Sequence, residues 1–182
     1  MELILINQNE DLKKKVTLAY SKTWMNPKYK FFHQTFYSPI RFDENGYDYE
    51  QYAVIKGEEL IGFIDVSITQ ALYVASVGQA INFTDDIVSM GVALKQLIEM
   101  LFSRNFNKIS WRGIDGNPII PSYRKIAEKY GGRQESHERY YTKLWDGTVA
   151  DSFSWGILKE EYDFVQYRSR CNRKIDRETL ED

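Results

Sequence analysis

The sequence predicts an α+β domain built on a mixed, mostly antiparallel sheet of six to seven strands, flanked by about four helices. Three observations predict it. Between residues 52 and 83 three β-rich runs follow one another with short turns between them. Residues 90–104 then switch to a helical period, and the strand after them makes a strand, helix, strand order that favours a parallel crossover. The 182 residues suffice for one core, and shares of 43% hydrophobic and 27% charged residues are those of a globular chain.

Residues 2–6 form a short β-rich run closed by Asn7-Gln8-Asn9, a cluster suited to a turn or helix cap. From Asp11 to about Met25, Leu12, Val16, Ala19, Tyr20 and Trp24 recur at helical spacing with lysines between them, and Pro27 ends the pattern. Residues 26–49 hold Tyr29, Phe31, Phe32, Phe36, Tyr37, Phe42 and Tyr47 in no single period. They read as a second short helix and a loop, most of whose rings pack on the sheet while one or two are left to wall a pocket.

Gly57-Glu58-Glu59 then joins two strands as a hairpin, and in the second of them Ile64, Val66 and Ile68 alternate with Asp65, Ser67 and Thr69. The third strand, residues 72–83, carries Gly78 as a candidate bulge. Met90, Ala93, Leu94, Leu97, Ile98, Leu101 and Phe102 share one helical face. A strand at 107–112 leads to a helix that starts near Pro118 or Pro121 and stops at Gly131-Gly132. Two last strands, 135–145 and 149–158, turn at Asp146-Gly147. The domain is expected to span residues 1–162, with 163–182 a polar C-terminal extension, helical or partly flexible.

A formal charge of −2 gives no field that would recruit a polyanion, and the basic run Arg168, Arg170, Arg173, Lys174 and Arg177 reads as a solvated helix face. Nucleic acid is therefore not an expected partner. Cys171 is alone, the apolar run at the start precedes its lysines, and no stretch approaches the ~20 apolar residues of a membrane span. A cytoplasmic, membrane-free protein is expected. His33 and His137 lack metal-ligand spacing, so no metal is expected, and no P-loop or dinucleotide fingerprint is present.

Residues 80–93, AINFTDDIVSMGVA, carry the chemical signal. A strand, a turn of small residues and a long helix place free N–H groups at a helix N-terminus, where the dipole favours an anion such as a pyrophosphate. Gly91 and Ala93 allow close approach, and Ser89 is placed to cap. The same small residues also suit plain packing of helix on sheet, and the segment alone leaves both readings open.

With the order of elements added, the chain resembles the GNAT superfamily of acyl-coenzyme A N-acyltransferases, whose third meander strand leads into an Arg/Gln-x-x-Gly-x-Gly/Ala loop. Gly91 and Ala93 match its last two marks, and Val88 stands in place of Arg or Gln. Gly113-Ile114-Asp115-Gly116-Asn117, followed by Ser122, Tyr123, Lys129 and Gly131, resembles the family's Asn-x-x-Ser segment and Lys-x-Gly turn, with a longer spacer holding Pro118 and Pro121. Asp146-Gly147 and residues 151–161 are similar to a common ending of bacterial members.

The resemblance implies transfer of an acetyl or other acyl group from acetyl-coenzyme A, as cosubstrate, to a primary amine of a small molecule, peptide or protein, and leaves a homodimer open. It implies that the central strands part and that pantetheine pairs with Ile81, Asn82 and Phe83. The diphosphate would meet the backbone of Val88, Ser89, Met90, Gly91, Val92 and Ala93, Asn117 would bond the pantetheine or a water beside it, and Ser122 would also belong to the cofactor site. A backbone N–H near Phe83 would polarise the acyl carbonyl. The family's acidic Tyr position is Ala127 here, so Tyr123, one turn earlier, stands in; Asp65, Asp85 and Asp86 are the base candidates by location. The departures at Val88 and Ala127 motivate an alternative, a GNAT-like binding or regulatory module without catalysis.

Overall fold

The computed structural model describes residues 1–23, 26–29, 40–43, 48–144 and 146–178, with the backbone alone for 172–178. The order is β1 (Glu2–Leu5), α1 (Glu10–Ser21), β2 (Tyr49–Lys56), β3 (Glu59–Thr69), β4 (Val74–Asn82), α2 (Ile87–Ser103), β5 (Lys108–Ile114), α3 (Ile120–Lys129), β6 (Arg133–Lys143), β7 (Val149–Leu158) and α4 (Lys159–Glu178). These strands form one sheet in the order β1-β2-β3-β4-β5-β7-β6, antiparallel throughout except for the parallel pair β4 and β5. The predicted α+β class and mixed sheet are the observed ones.

Alternation along the strands sorts the core into two layers. Ile64, Val66, Ile109, Trp111, Trp155 and Ile157 face α2 and α3 and meet Met90, Leu94, Leu97, Leu101, Tyr123 and Ile126. Phe63, Ile81 and Ala53 face the other way and meet Leu12, Val16 and Tyr20 of α1, with Tyr29. α4 joins the first layer through Tyr162, which stacks on Phe102 at 4.3 Å between centroids. The helix runs without a break across the expected boundary at residue 162.

Local chemistry moves several ends. α1 stops at Ser21 because the Thr23 amide (2.9 Å) and hydroxyl (2.6 Å) both donate to the Tyr20 carbonyl, closing the last turn. Trp24, Phe31, Phe32, Phe36, Tyr37 and Tyr47 lie outside the described residues, as does most of the expected second helix; Pro27–Tyr29 forms one 3₁₀ turn. β4 begins two residues late, at Val74, because Gln70–Leu72 makes a 3₁₀ turn that ends in a left-handed Tyr73 (φ 51°). Gly78 is the extra residue of a bulge, since Asp65 pairs with Gln79 while Val66 pairs with Val77.

Candidate active site

The parallel contact between β4 and β5 is short. It runs over four pairs, from Val74 with Lys108 to Val77 with Trp111, and ends there. Beyond this fork β4 continues to Asn82 paired with β3 alone, and β5 to Ile114 paired with β7 alone. The bulge at Gly78, one residue past the last pair, bends β4 away where the separation starts.

Register shows which backbone groups enter the gap. The Phe83 amide donates to the Ile61 carbonyl at 2.8 Å, so in the antiparallel ladder Phe83 and Ile81 both turn their N–H and C=O toward β3. Ala80 and Asn82 turn theirs toward β5. On the facing strand, Asp115 N–H donates to the Asp151 carbonyl and Lys159 N–H to the Asn107 carbonyl, so odd-numbered residues between them bond β7, and Arg112 and Ile114 face the gap. This corrects the expected edge. Phe83 has no amide to spare for a carbonyl and Ile81 none for pantetheine; of the β4 end only Ala80 and Asn82 turn their backbone groups to the gap.

The helix start departs further from expectation. α2 begins at Ile87, one turn earlier than its apolar period shows, because Asp86 caps it: one carboxylate oxygen accepts the Ser89 amide at 2.9 Å and the other the Ser89 hydroxyl at 2.7 Å. Ser89 is thus the capped residue and not the cap. Ile87 N–H donates to the Asp85 carbonyl and Met90 N–H to that of Asp86. Gly91, Val92 and Ala93 lie inside the helix, where amides bond the preceding turn. Of the first-turn amides, Val88 alone has no acceptor among the described residues. The expected row of outward amides from Ser89 to Ala93 is therefore absent. Val88 is 78% exposed, and a Cβ on Gly91 would meet nothing within 4 Å.

Lysines compensate the two acids of this turn. Lys56 Nζ lies 2.6 Å from Asp86, and its hydrogen bond, followed by those of Ser89, holds that carboxyl far below the usual range. Lys28 Nζ lies 2.8 Å from Asp85 and depresses it likewise. Both acids are ion-paired cap and loop residues, which removes them as bases.

Asp65 differs. It lies on the α1 side of β3, against the bulge, with an oxygen 3.2 Å from where a Cβ on Gly78 would sit. Burial pushes its carboxyl above the ordinary value, offset in part by the hydrogen bond from Gln51 Nε2 at 3.2 Å. Tyr123 is packed in the opposite layer between Trp111 (6.3 Å) and Trp155 (6.0 Å), beneath Gly113, and burial pushes its phenol up to about 12. These contacts make it a core tyrosine. Asn117 Oδ1 accepts the Ile119 amide inside its own loop, and Ser122 N–H serves the Ile119 carbonyl, so both support the start of α3.

Two features at the gap escaped the sequence reading. Tyr29 is buried, and its hydroxyl donates at 2.9 Å to the Asn82 carbonyl, which faces the gap; burial raises its phenol. Its only sequence signal was membership of an aromatic segment without period. Arg112 bonds Glu138 at 2.8 Å and Ser152 at 3.0 Å and stacks under Tyr141 at 4.5 Å. Tyr141 reaches it because β6 is irregular between Glu138 and Thr142, with Tyr140 left-handed (φ 54°). Among the described residues no group of three or more His, Cys, Asp and Glu could hold a metal ion, and no helix is long and apolar enough to cross a membrane.

No family model matches the sequence, and no curated protein does. Solved structures do match the fold. Spermidine N-acetyltransferase from Vibrio cholerae, in complex with CoA and spermine, superposes with a TM-score of 0.66 at 16% identity, over 88% of this chain and 97% of that one. A probable GNAT-family acetyltransferase from Chromobacterium violaceum gives 0.64 at 17%, over 83% and 86%. A GCN5-related N-acetyltransferase from Brucella melitensis gives 0.61 at 17%, over 87% and 76%. The chain has the fold of the GNAT acetyltransferases, as the resemblance in the sequence implied.

Proposed function

We propose that the chain is an N-acyltransferase which takes an acyl group from a pantetheine thioester, acetyl-coenzyme A in the first instance, and delivers it to a primary amine of a small molecule or peptide. The observation that carries this reading is the parting of β4 and β5 after Val77 and Trp111. It leaves two strand edges with gap-facing backbone groups at Ala80, Asn82 and Arg112, and an extended amide-bearing arm fits between them as an added strand. A GNAT-fold structure bound to CoA and spermine supports both the class of donor and an amine acceptor.

In this reading the acyl carbonyl is polarised by a gap-facing N–H of β4, that of Asn82, and not by the amide of Phe83. The amine approaches from the α1 side, where Asp65 lies at the fork. Burial holds its carboxyl above the ordinary value, which suits it to accept the proton that an ammonium must lose before attack. The amine nitrogen then adds to the thioester carbon, the carbon–sulfur bond breaks as the nitrogen releases its second proton to water, and the thiolate takes a proton. Tyr29, whose hydroxyl already points at the Asn82 carbonyl, is the donor this structure offers in place of Tyr123.

A second reading, a GNAT-like binding module without catalysis, is favoured by the carboxylate at the start of α2. Thermal unfolding with acetyl-coenzyme A and with S-acetyl-pantetheine, followed by thiol release over a panel of amines, separates the two. A thioester that binds the folded chain raises its Tm. Binding with thiol release supports the enzyme, binding without release across the panel supports the module, and no binding of either thioester removes both.

A further inference from the structure

At the start of α2 the place of an anion is already taken by part of the chain. Asp86 accepts the amide and hydroxyl of Ser89 with its two oxygens (2.9 and 2.7 Å) and pairs with Lys56 at 2.6 Å, so it makes the contacts a phosphate would make there. The surroundings offer an incoming anion little else. Lys28 is engaged twice, donating to one oxygen of the exposed Asp85 carboxylate and to the Thr84 carbonyl. Ile87 (67% exposed) and Val88 (78%) cover the outer surface with apolar groups. Lys95 is nine residues along from Asp86, roughly 13 Å of helix rise away. The four charges paired at this turn, Asp85, Asp86, Lys28 and Lys56, balance.

We propose that Asp86 is a specificity-determining residue that disfavours the nucleotide diphosphate, so that the gap between β4 and β5 accepts acyl-pantetheine arms lacking an adenosine diphosphate at least as well as acyl-coenzyme A. The inference rests on the gap being a thioester site. A diphosphate brought to α2 meets a carboxylate of like sign, and it must displace that carboxylate from Ser89 to reach the amide. A pantetheine arm ends before this point and meets neither cost. The Asp86 charge, more than its shape, makes the discrimination, because an asparagine caps a helix as well as an aspartate does.

The test measures calorimetric affinities of S-acetyl-pantetheine and acetyl-coenzyme A for the full chain, its Asp86→Asn variant and its Lys56→Gln variant, with melting curves to verify folding. For the wild type, acetyl-coenzyme A is expected to bind no more tightly than S-acetyl-pantetheine. Asp86→Asn should tighten acetyl-coenzyme A about tenfold and change S-acetyl-pantetheine less than twofold. Lys56→Gln, at an exposed position, strips Asp86 of its counter-ion and should weaken acetyl-coenzyme A alone. A wild type that prefers acetyl-coenzyme A by tenfold or more overturns the proposal, as does an Asp86→Asn ratio equal to the wild-type ratio. Wild-type binding of neither thioester sinks the parent reading of the gap, and the proposal with it. Binding of both in an unchanged ratio removes only the role of Asp86.

Discussion

Replacing Gly91 by alanine separates the observed helix start from the one the sequence pattern implies. Gly91 is the fifth residue of α2, and a Cβ there would meet nothing within 4 Å, so the substitution costs no packing. The gain is intrinsic, because alanine is better than glycine in a helix interior by about 0.8–1 kcal/mol. No apolar area is buried in exchange, as the space above the residue is open. The net expectation is a stabilisation of about 1 kcal/mol, which in a chain of this size raises Tm by about 2–4 °C. Thermal unfolding by circular dichroism reads this shift, and calorimetry with acetyl-coenzyme A reads the site. Affinity should stay within twofold of the wild type, since no donor atom approaches Gly91 when Asp86 holds the cap. A lower Tm would show that something packs on Gly91. An affinity loss of tenfold or more would show that the amides of residues 89–93 cradle the diphosphate after all.

Asp65→Asn should raise Tm at neutral pH, because a carboxyl whose folded pKa is raised stabilises the fold only below its unfolded value and loses that contribution as pH climbs through the folded one; melting curves at several pH values should show the gain vanish in acid, and thiol release should fall sharply if Asp65 is the base. Arg104→Ala leaves the mostly buried Glu50 with Tyr52 as its remaining partner and should cost about 2 kcal/mol by urea unfolding. Burial pushes Glu50 up, but the bonds from Arg104 and Tyr52 bring it below the ordinary value; its stabilisation is therefore present above the unfolded pKa and should fade as pH drops through the folded one, narrowing the gap between variant and wild type. Gly62→Ala puts a Cβ 2.4 Å from the Ile81 carbonyl and 2.6 Å from Met90 Sδ, so β4 must shift; a loss of about 1–3 kcal/mol is expected, and an unchanged Tm would contradict the register given for this edge. Tyr29→Phe should lower kcat for thiol release about a hundredfold with KM for the thioester little changed, whereas equal kcat would return Tyr29 to a packing role.

Those elements that announce themselves by period were readable from sequence in type and nearly in extent. Ile64, Val66 and Ile68 alternate with polar neighbours because β3 has its two faces in different environments, and the α2 face from Met90 to Phe102 is apolar because it lies along the sheet. Gly78 could be anticipated as a bulge because a glycine inside a strand has few other uses. Ends were harder, since they are decided by one or two hydrogen bonds: the Thr23 hydroxyl shortens α1 and the Asp86 carboxylate lengthens α2 by a turn. Neither bond leaves a trace in hydrophobic periodicity.

The gap itself shows where a pattern of residues and the physics of the backbone part company. The fork after Val77 and Trp111 is a property of pairing, and pairing alternates along β4, so a stretch of three neighbours such as Ile81, Asn82 and Phe83 cannot all face one ligand. Two of them must serve β3, as the Phe83 amide does. Gly91 and Ala93, read as letters, match a diphosphate loop, whereas the Asp86 carboxylate, five positions before Gly91, already takes the amide and the hydroxyl of Ser89. A glycine permits approach but supplies no attraction. Attraction at a helix N-terminus comes from unpaired donors and uncompensated positive charge, and the described turn holds one open amide, at Val88, and no net charge. The part of the site that persists is the one made by strand geometry, and its donor should be the ligand that asks least of the helix.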